Sequence, residues 1–275
     1  MNILVTTDGS EQSLCILPHA LRIARLLDAD VTLAQVFEPA WHPAAPSERD
    51  ALLKTVLRTH GVTGDVLSVE QPKGESVAGA IHRAADAIDA AAIAISTHGR
   101  GAIAHAILGS VALDVVAKAD LPVMVLTGCP PAPTGDGPLH LLVTFDGSED
   151  AQRAVAGLKR LLVPGRVKVT LFEVAVMSAL ETESEAEARV RGPLERLADS
   201  LPDGVECDVR IQVVPPAAGV DTAIAVTAKD LAVDAIAMAT HGHSARRHLV
   251  AGSVALGVVK QAEVPVMLVR SQPPH

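Results

Sequence analysis

Short apolar runs rich in β-branched residues alternate along this chain with longer stretches in which apolar residues recur every three or four positions. In the first half the runs fall at about 2–7, 31–37, 65–71, 91–96 and 122–127, and in the second near 139–145, 167–174, 206–214, 234–239 and 265–269. Ala91-Ala92-Ile93-Ala94-Ile95 shows no polar alternation, which is how a strand reads when helices cover both faces of its sheet. After the first run, Leu14, Leu17, Leu21 and Ala24 fall on one helical face, with Ser10 placed as an N-cap and Glu11 at the positive end of the helix dipole. Ala151, Val155, Leu158 and Leu162 repeat that stripe in the second half. Strands alternating with helices imply right-handed βαβ units. The chain is therefore expected to be α/β, with two doubly wound domains, each a mainly parallel five-stranded sheet carrying helices on both faces.

The two halves share landmarks as well as rhythm. Ile3-Leu4-Val5-Thr6-Thr7-Asp8-Gly9-Ser10-Glu11 returns as Leu141-Leu142-Val143-Thr144-Phe145-Asp146-Gly147-Ser148-Glu149 at an offset of 138. Leu121-Pro122-Val123-Met124 returns as Val264-Pro265-Val266-Met267 at an offset of 143. A period of half the chain means two copies of one domain. Between them, residues 128–138 hold four prolines and three glycines, which excludes both a helix and a central strand. The expected division is a first domain at 1–128, a linker at 129–138 and a second domain at 139–275, each domain long enough to bury its own core. The last runs, Leu121 to Leu126 and Val264 to Val269, are apolar and hazardous as open sheet edges. Pairing them with each other is the simplest remedy, although a covering helix or an isologous homodimer would serve too.

Composition narrows the partners. Hydrophobic residues make up 49% of the chain but aromatics only 1%, and the formal charge is −9. Scarce stacking surfaces and a negative charge argue against nucleic acid. No apolar stretch reaches membrane-spanning length, and the first strand begins too early for a secretory leader. Cys15, Cys129 and Cys207 have no CxxC spacing, so they read as free thiols in a reducing, cytoplasmic setting. Glu181, Glu183, Glu185 and Glu187 read as a solvated helix face. Trp41 lies in a proline-rich stretch and reads as a side chain packed on its own domain.

The candidate chemistry is also written twice. Thr97-His98-Gly99, nine residues, then Gly109-Ser110-Val111-Ala112-Leu113 returns as Thr240-His241-Gly242, nine residues, then Gly252-Ser253-Val254-Ala255-Leu256. Each copy follows a fourth strand and opens a helix. In open α/β sheets ligands bind beyond the carboxyl ends of strands, where Asp8 and Asp146 also sit if first and fourth strands are neighbours. Gly99 and Gly242 suit a sharp turn, and each Gly-Ser pair would start a helix with free N–H groups facing an anion. Arg100 in one excursion and Arg246 or Arg247 in the other are candidates for neutralising phosphate. His241, His243 and His248 lie close in sequence, but a metal site needs three or four convergent ligands, and none is assigned. A Walker-type loop is absent.

These residues resemble the universal stress protein family in its tandem two-domain form. Its ATP-binding members carry Gly, two residues, Gly, nine residues, Gly, then Ser or Thr. Here the second glycine matches Gly99 and Gly242, and the third matches Gly109 and Gly252, followed by Ser110 and Ser253. Ser96 and Ala239 stand where the first glycine would be. The resemblance implies a Rossmann-like fold of the adenine nucleotide alpha hydrolase type and a cytoplasmic protein of stress response or signalling. It would bind ATP, ADP or AMP, with or without Mg²⁺, in each half. It implies that Asp8 and Asp146 meet the adenosine, with Thr6 and Thr144 nearby, and that Val36 and Val174 contact adenine. Backbone donors of Val111, Ala112, Val254 and Ala255 would face phosphate, and His98 and His241 are the titrating groups of the excursions. Two alternatives stand beside this: a scaffold acting only through unidentified protein partners, and a slow ATPase or a protein autophosphorylated on Ser110 or Ser253.

Overall fold

The computed structural model describes residues 1–38, 45–62, 64–97, 108–132, 134–240 and 251–270. The first half runs β1 (Asn2–Thr6), α1 (Glu11–Leu14), α2 (Leu17–Leu27), β2 (Asp30–Phe37), α3 (Pro46–Thr59), β3 (Asp65–Glu70), α4 (Val77–Ala87), β4 (Ala90–Ser96), α5 (Ser110–Lys118) and β5 (Val123–Leu126). The second half follows as β6 (Leu139–Thr144), α6 (Glu149–Gly157), β7 (Val167–Val176), α7 (Glu183–Asp199), β8 (Glu206–Val214), α8 (Val220–Asp230), β9 (Ala235–Ala239), α9 (Ser253–Gln261) and β10 (Val266–Val269). Strand boundaries fall within two residues of those read from the pattern. The first helix departs from it. Pro18, the second residue of α2, has no N–H and crowds the carbonyl four residues earlier, so the expected helix splits into a single capped turn and α2. Burial then shifts onto Leu17, Ala20, Ile23, Ala24 and Leu27, leaving Leu14 and Leu21 half-buried.

The strands join one ten-stranded sheet in the order β3-β2-β1-β4-β5-β10-β9-β6-β7-β8. β5 and β10 pair antiparallel, with Met124 opposite Met267, and the other neighbouring strands pair parallel. The apolar last strands thus cover each other, the remedy that their composition calls for. All seven residues of β4 are buried, as expected of a strand with helices on both faces.

The expectation of a separate core in each half needs correction. One apolar layer contains Ile3, Leu17 and Met124 together with Leu141, Leu158 and Met267, and the opposite layer contains Leu4 and Val125 with Leu142 and Val266. Because β5 and β10 lie at the centre of the sheet, each layer runs across both halves. Polar contacts reinforce the junction. The Arg22 Nε donates to Asp234 Oδ1 at 2.6 Å, and the other carboxylate oxygen accepts from the His140 amide at 2.8 Å. Arg22 and Asp234 are only 11% and 4% exposed, so this is a satisfied buried ion pair.

Two further readings change. Cys15 and Cys129 form a disulfide, with Cα atoms 4.9 Å apart and a separation of 114 positions in sequence; the fold returns the linker to the α1–α2 turn, which local spacing does not reveal. Of the four glutamates read as a solvated face, Glu181 precedes α7 and pairs with Arg189 at 2.9 Å. Glu185 closes a capping box with Thr182, so two of the four serve to anchor the helix start. Among the described residues no helix is long and apolar enough to cross a membrane.

Asp234→Ala is expected to destabilise the protein by about 3–5 kcal/mol, because it leaves the Arg22 guanidinium buried and unpaired. Urea denaturation of the variant against the parent measures this, and Arg22→Met combined with Asp234→Ala should recover much of the loss.

Candidate functional site

The order of strands puts a topological switch point between β1 and β4, and another between β6 and β9. Val5 lies opposite Ala94 in one and Val143 opposite Ala237 in the other. Asp8 and Asp146 therefore emerge beside Ser96-Thr97 and Ala239-Thr240, as ligand sites in such sheets require. Each aspartate is held by its own turn. Asp8 Oδ1 accepts from the amide and hydroxyl of Ser10 at 2.9 and 2.6 Å, and Asp146 Oδ1 from those of Ser148 at 3.1 and 2.6 Å. Gly9 and Gly147 carry the chain through at φ +82° and +79°, a region that side-chain-bearing residues avoid.

Facing these turns are the N-termini of α5 and α9. The expectation that the Gly109 and Gly252 amides face an anion is corrected: each donates instead to the carbonyl of Thr97 or Thr240, at 2.7 Å in both halves. These bonds pinch the base of each excursion. The donors left over belong to Ser110, Val111 and Ala112, and to Ser253, Val254 and Ala255, whose helical partners would lie before the helix begins. Among the described residues no side chain caps α5 or α9, whereas Ser10, Ser76, Ser148 and Thr182 cap α1, α4, α6 and α7. Uncapped amides and the positive end of the helix dipole make a natural place for an anion.

In the second half a cleft opens here, and Asp146, Val174, Ala239, Gly252 and Ser253 line it, with Thr144, Val254 and Ala255. Phe172 and Met238 add apolar wall, two residues that motif reading passed over because they look like ordinary strand core. The topology gives Val36, Ser96, Gly109, Ser110, Val111 and Ala112 the matching places in the first half. Thr6 is buried there and its hydroxyl donates to the Ala94 carbonyl at 3.3 Å, so it braces the two strands. Neither Ser96 nor Ala239 has positive φ, so neither place demands glycine on backbone grounds. His98, Gly99, Arg100, His241, Gly242, Arg246, Arg247 and the neighbouring His243 and His248 lie outside the described residues, as does Trp41. Among the described residues no three His, Cys, Asp or Glu converge on a metal position.

The profile of the universal stress protein family matches residues 1–127 and again 139–270. The chain belongs to the universal stress protein family. A universal stress protein of Mycolicibacterium smegmatis is 28% identical over 98% of this chain and 96% of its own length. Another, from Mycobacterium tuberculosis, is 25% identical over 66% of this chain and 62% of its own. Among solved structures, a universal stress protein from Archaeoglobus fulgidus shares the fold with a TM-score of 0.68 at 18% identity, covering 98% of both chains.

Within this family fold the two halves differ at their sites. Thr7 and Phe145 occupy equivalent positions, since their amides donate to Ala34 and Phe172 carbonyls at 2.9 Å each. In the first half the hydroxyls of Thr7 and Ser13 lie 2.6 Å apart, and Ser96 Oγ donates to the Ser13 carbonyl at 3.2 Å. Phe145, Ala151 and Ala239 stand in their places in the second half and line its cleft. Three polar positions have become apolar together. Conversely Gln35 corresponds to Glu173, which is 7% exposed and has one carboxylate oxygen without a hydrogen-bond partner. Burial and the nearby Asp146 charge push its pKa up to about 7, against a partial offset from Arg189.

Glu173 carries a checkable consequence. Its folded pKa exceeds the ordinary carboxylate value, so the native state binds the extra proton, and stability falls as pH rises from about 4.5 through 7. Glu173→Gln should remove this slope and be the more stable protein at pH 8, by up to about 3 kcal/mol; urea midpoints between pH 5 and 8 decide it. A second consequence concerns room at the pinch. A Cβ at Gly109 would sit 2.7 Å from the Thr97 carbonyl oxygen, whereas one at Gly252 would sit 3.6 Å from that of Thr240. Gly109→Ala should cost about 1–3 kcal/mol and Gly252→Ala no more than about 0.5 kcal/mol, read from the same denaturation experiment.

Proposed function

We propose that this protein binds an adenine nucleotide, ATP or its products, with a potential site in each half, and acts in a cytoplasmic stress response. The observation that carries the reading is the facing arrangement of Asp146 and the N-terminus of α9, which no side chain caps among the described residues, across one cleft, with Val174, Phe172 and Met238 as an apolar wall. Phosphate would take the amides of Ser253, Val254 and Ala255, and the base would lie against Val174. Asp146, held through one oxygen by Ser148, would meet the sugar. The family membership and the doubled motif support the same assignment for Asp8, Val36 and the start of α5. Binding is the reading these groups favour over turnover. The aspartates are spent partly on their own turns, and an N-terminal amide nest stabilises charge without moving a proton.

The test is thermal melting of the full chain with ATP, ADP, AMP and, as control, GTP. At a hundred times its dissociation constant a ligand adds about 2.7 kcal/mol to the native state, equivalent to roughly 5–10 °C in a chain of this size. Ser253→Glu should abolish the second-half share of that shift, since its carboxylate occupies the exposed mouth of the anion site without disturbing the core. Identical melting in all nucleotides would remove the proposal in favour of a scaffold.

A further inference from the structure

The linker does not hang freely between the halves. Cys129, exposed, is bonded to half-buried Cys15. One residue on, the Pro130 carbonyl lies 3.0 Å from the Nε2 of His19, which is 1% exposed. Burial lowers the pKa of this ring, and because a carbonyl only accepts, Nε2 carries the proton. Further along, the Gly135 carbonyl accepts from Arg22 Nη1 at 2.7 Å and Arg25 Nη2 at 3.2 Å. Helix α2 thus holds the linker by hydrogen bonds, and the disulfide holds it covalently.

The other end of the disulfide reaches toward the candidate site. Cys15 is the C-cap of the single turn α1, two residues after Ser13. The Ser13 hydroxyl accepts from the Asp8 amide at 3.3 Å and lies 2.6 Å from that of Thr7, while its carbonyl accepts from Ser96. One short turn therefore links the linker to the Asp8 loop and to the end of β4. The second half has Arg153 where the first has Cys15, so the device exists on one side only.

We propose that Cys15 and Cys129 are a reversible thiol–disulfide couple that fastens the linker to the turn carrying Asp8, and so tunes the first-half site but not the second. The co-reactant is a dithiol reductant. Its thiolate attacks the exposed Cys129 sulfur, forming a mixed disulfide and releasing Cys15 as thiolate, which takes a proton from solvent. The reductant's second thiolate then attacks its own sulfur in the mixed disulfide and releases Cys129. Two electrons pass to the protein and the reductant leaves oxidised. Glutathione disulfide, acting through the reverse exchange, restores the bond. Disulfides of cytosolic proteins are characteristically transient or sensing, and on the cytoplasmic reading above this pair falls in that class.

The experiment uses the full chain equilibrated in glutathione buffers from reducing to oxidising, acid-quenched, alkylated and mapped by mass spectrometry, with hydrogen exchange measured in parallel and no nucleotide present. The expected result is a Cys15–Cys129 linked peptide that forms at the oxidising end and disappears with dithiothreitol. Reduction should speed exchange about tenfold or more at residues 7–15 and 128–137, leaving residues 145–153 unchanged. Cys129→Ser, an exposed linker change, should match the reduced protein in every buffer. Cys207, half-buried on β8, should alkylate at the same rate throughout. Absence of the linked peptide at the oxidising end, or its formation with no change at residues 7–15, overturns the proposal. An ATP titration of both forms follows, with weaker first-half binding expected on reduction. If neither form binds ATP, the nucleotide reading fails while the exchange data still decide the couple.

Discussion

Buried amides and carbonyls must find partners, and in this chain that requirement falls hardest on β5 and β10. Both are four-residue strands with every residue buried, and each is the last strand of its half. A lone domain of this kind would present an apolar edge to any other chain. Antiparallel pairing of Met124 with Met267 and their neighbours satisfies the backbone and places the most apolar strands at the centre of one sheet. The continuous layers of core above and below follow from it, as does the burial of the Arg22–Asp234 pair, which joins α2 of the first half to the turn before β9 of the second. The candidate sites lie at switch points fixed by the strand orders on either side of that seam.

Much of this was legible in the sequence because it rests on local rules. The strand runs are fully apolar since both faces are covered, and the Asp-Gly-Ser turns announce themselves through a left-handed glycine and a capping serine. The repeat pointed to a candidate site in each half. What escaped reading was non-local. The disulfide joins residues that only the returning linker brings together, and the roles of Phe172 and Met238 depend on which strand face opens into the cleft. The Gly109 and Gly252 amides looked like anion donors because a Gly-Ser pair at a helix start says nothing of the carbonyl behind it. Ser13 was within reach: set against Ala151 at the equivalent place, its polarity marks a position doing something other than filling a core.

Duplication leaves each half a record of what the other could have kept. The backbone bond from residue 7 to residue 34 survives as that from 145 to 172, so the strand geometry at the site has been held. Around it, Thr7, Ser13 and Ser96 became Phe145, Ala151 and Ala239, or the reverse, and these six residues form two internally consistent sets. A buried hydroxyl needs a partner, and here Thr7 and Ser13 bond each other within a wider network in which Thr7 also accepts from the Gly9 amide and Ser13 donates to the Ser10 carbonyl; replacing one alone would remove one bond of that network, at a cost of about 0.5–1.5 kcal/mol.

The consequence reaches function through the loops. In the first half the hydroxyl set ties the Asp8 turn, α1 and the end of β4 into one hydrogen-bonded unit, and that unit ends at Cys15. On the proposal above, motion of the linker is felt at the site, because Ser13 of the α1 turn bonds Thr7, the Asp8 amide and Ser96. In the second half Phe145, Ala151 and Ala239 meet through non-directional apolar contact, which tolerates small shifts without losing a bond. On that proposal the same fold holds one candidate site that transmits the state of the linker and one that is insulated from it, a division of labour that two identical sites on a single sheet would not provide.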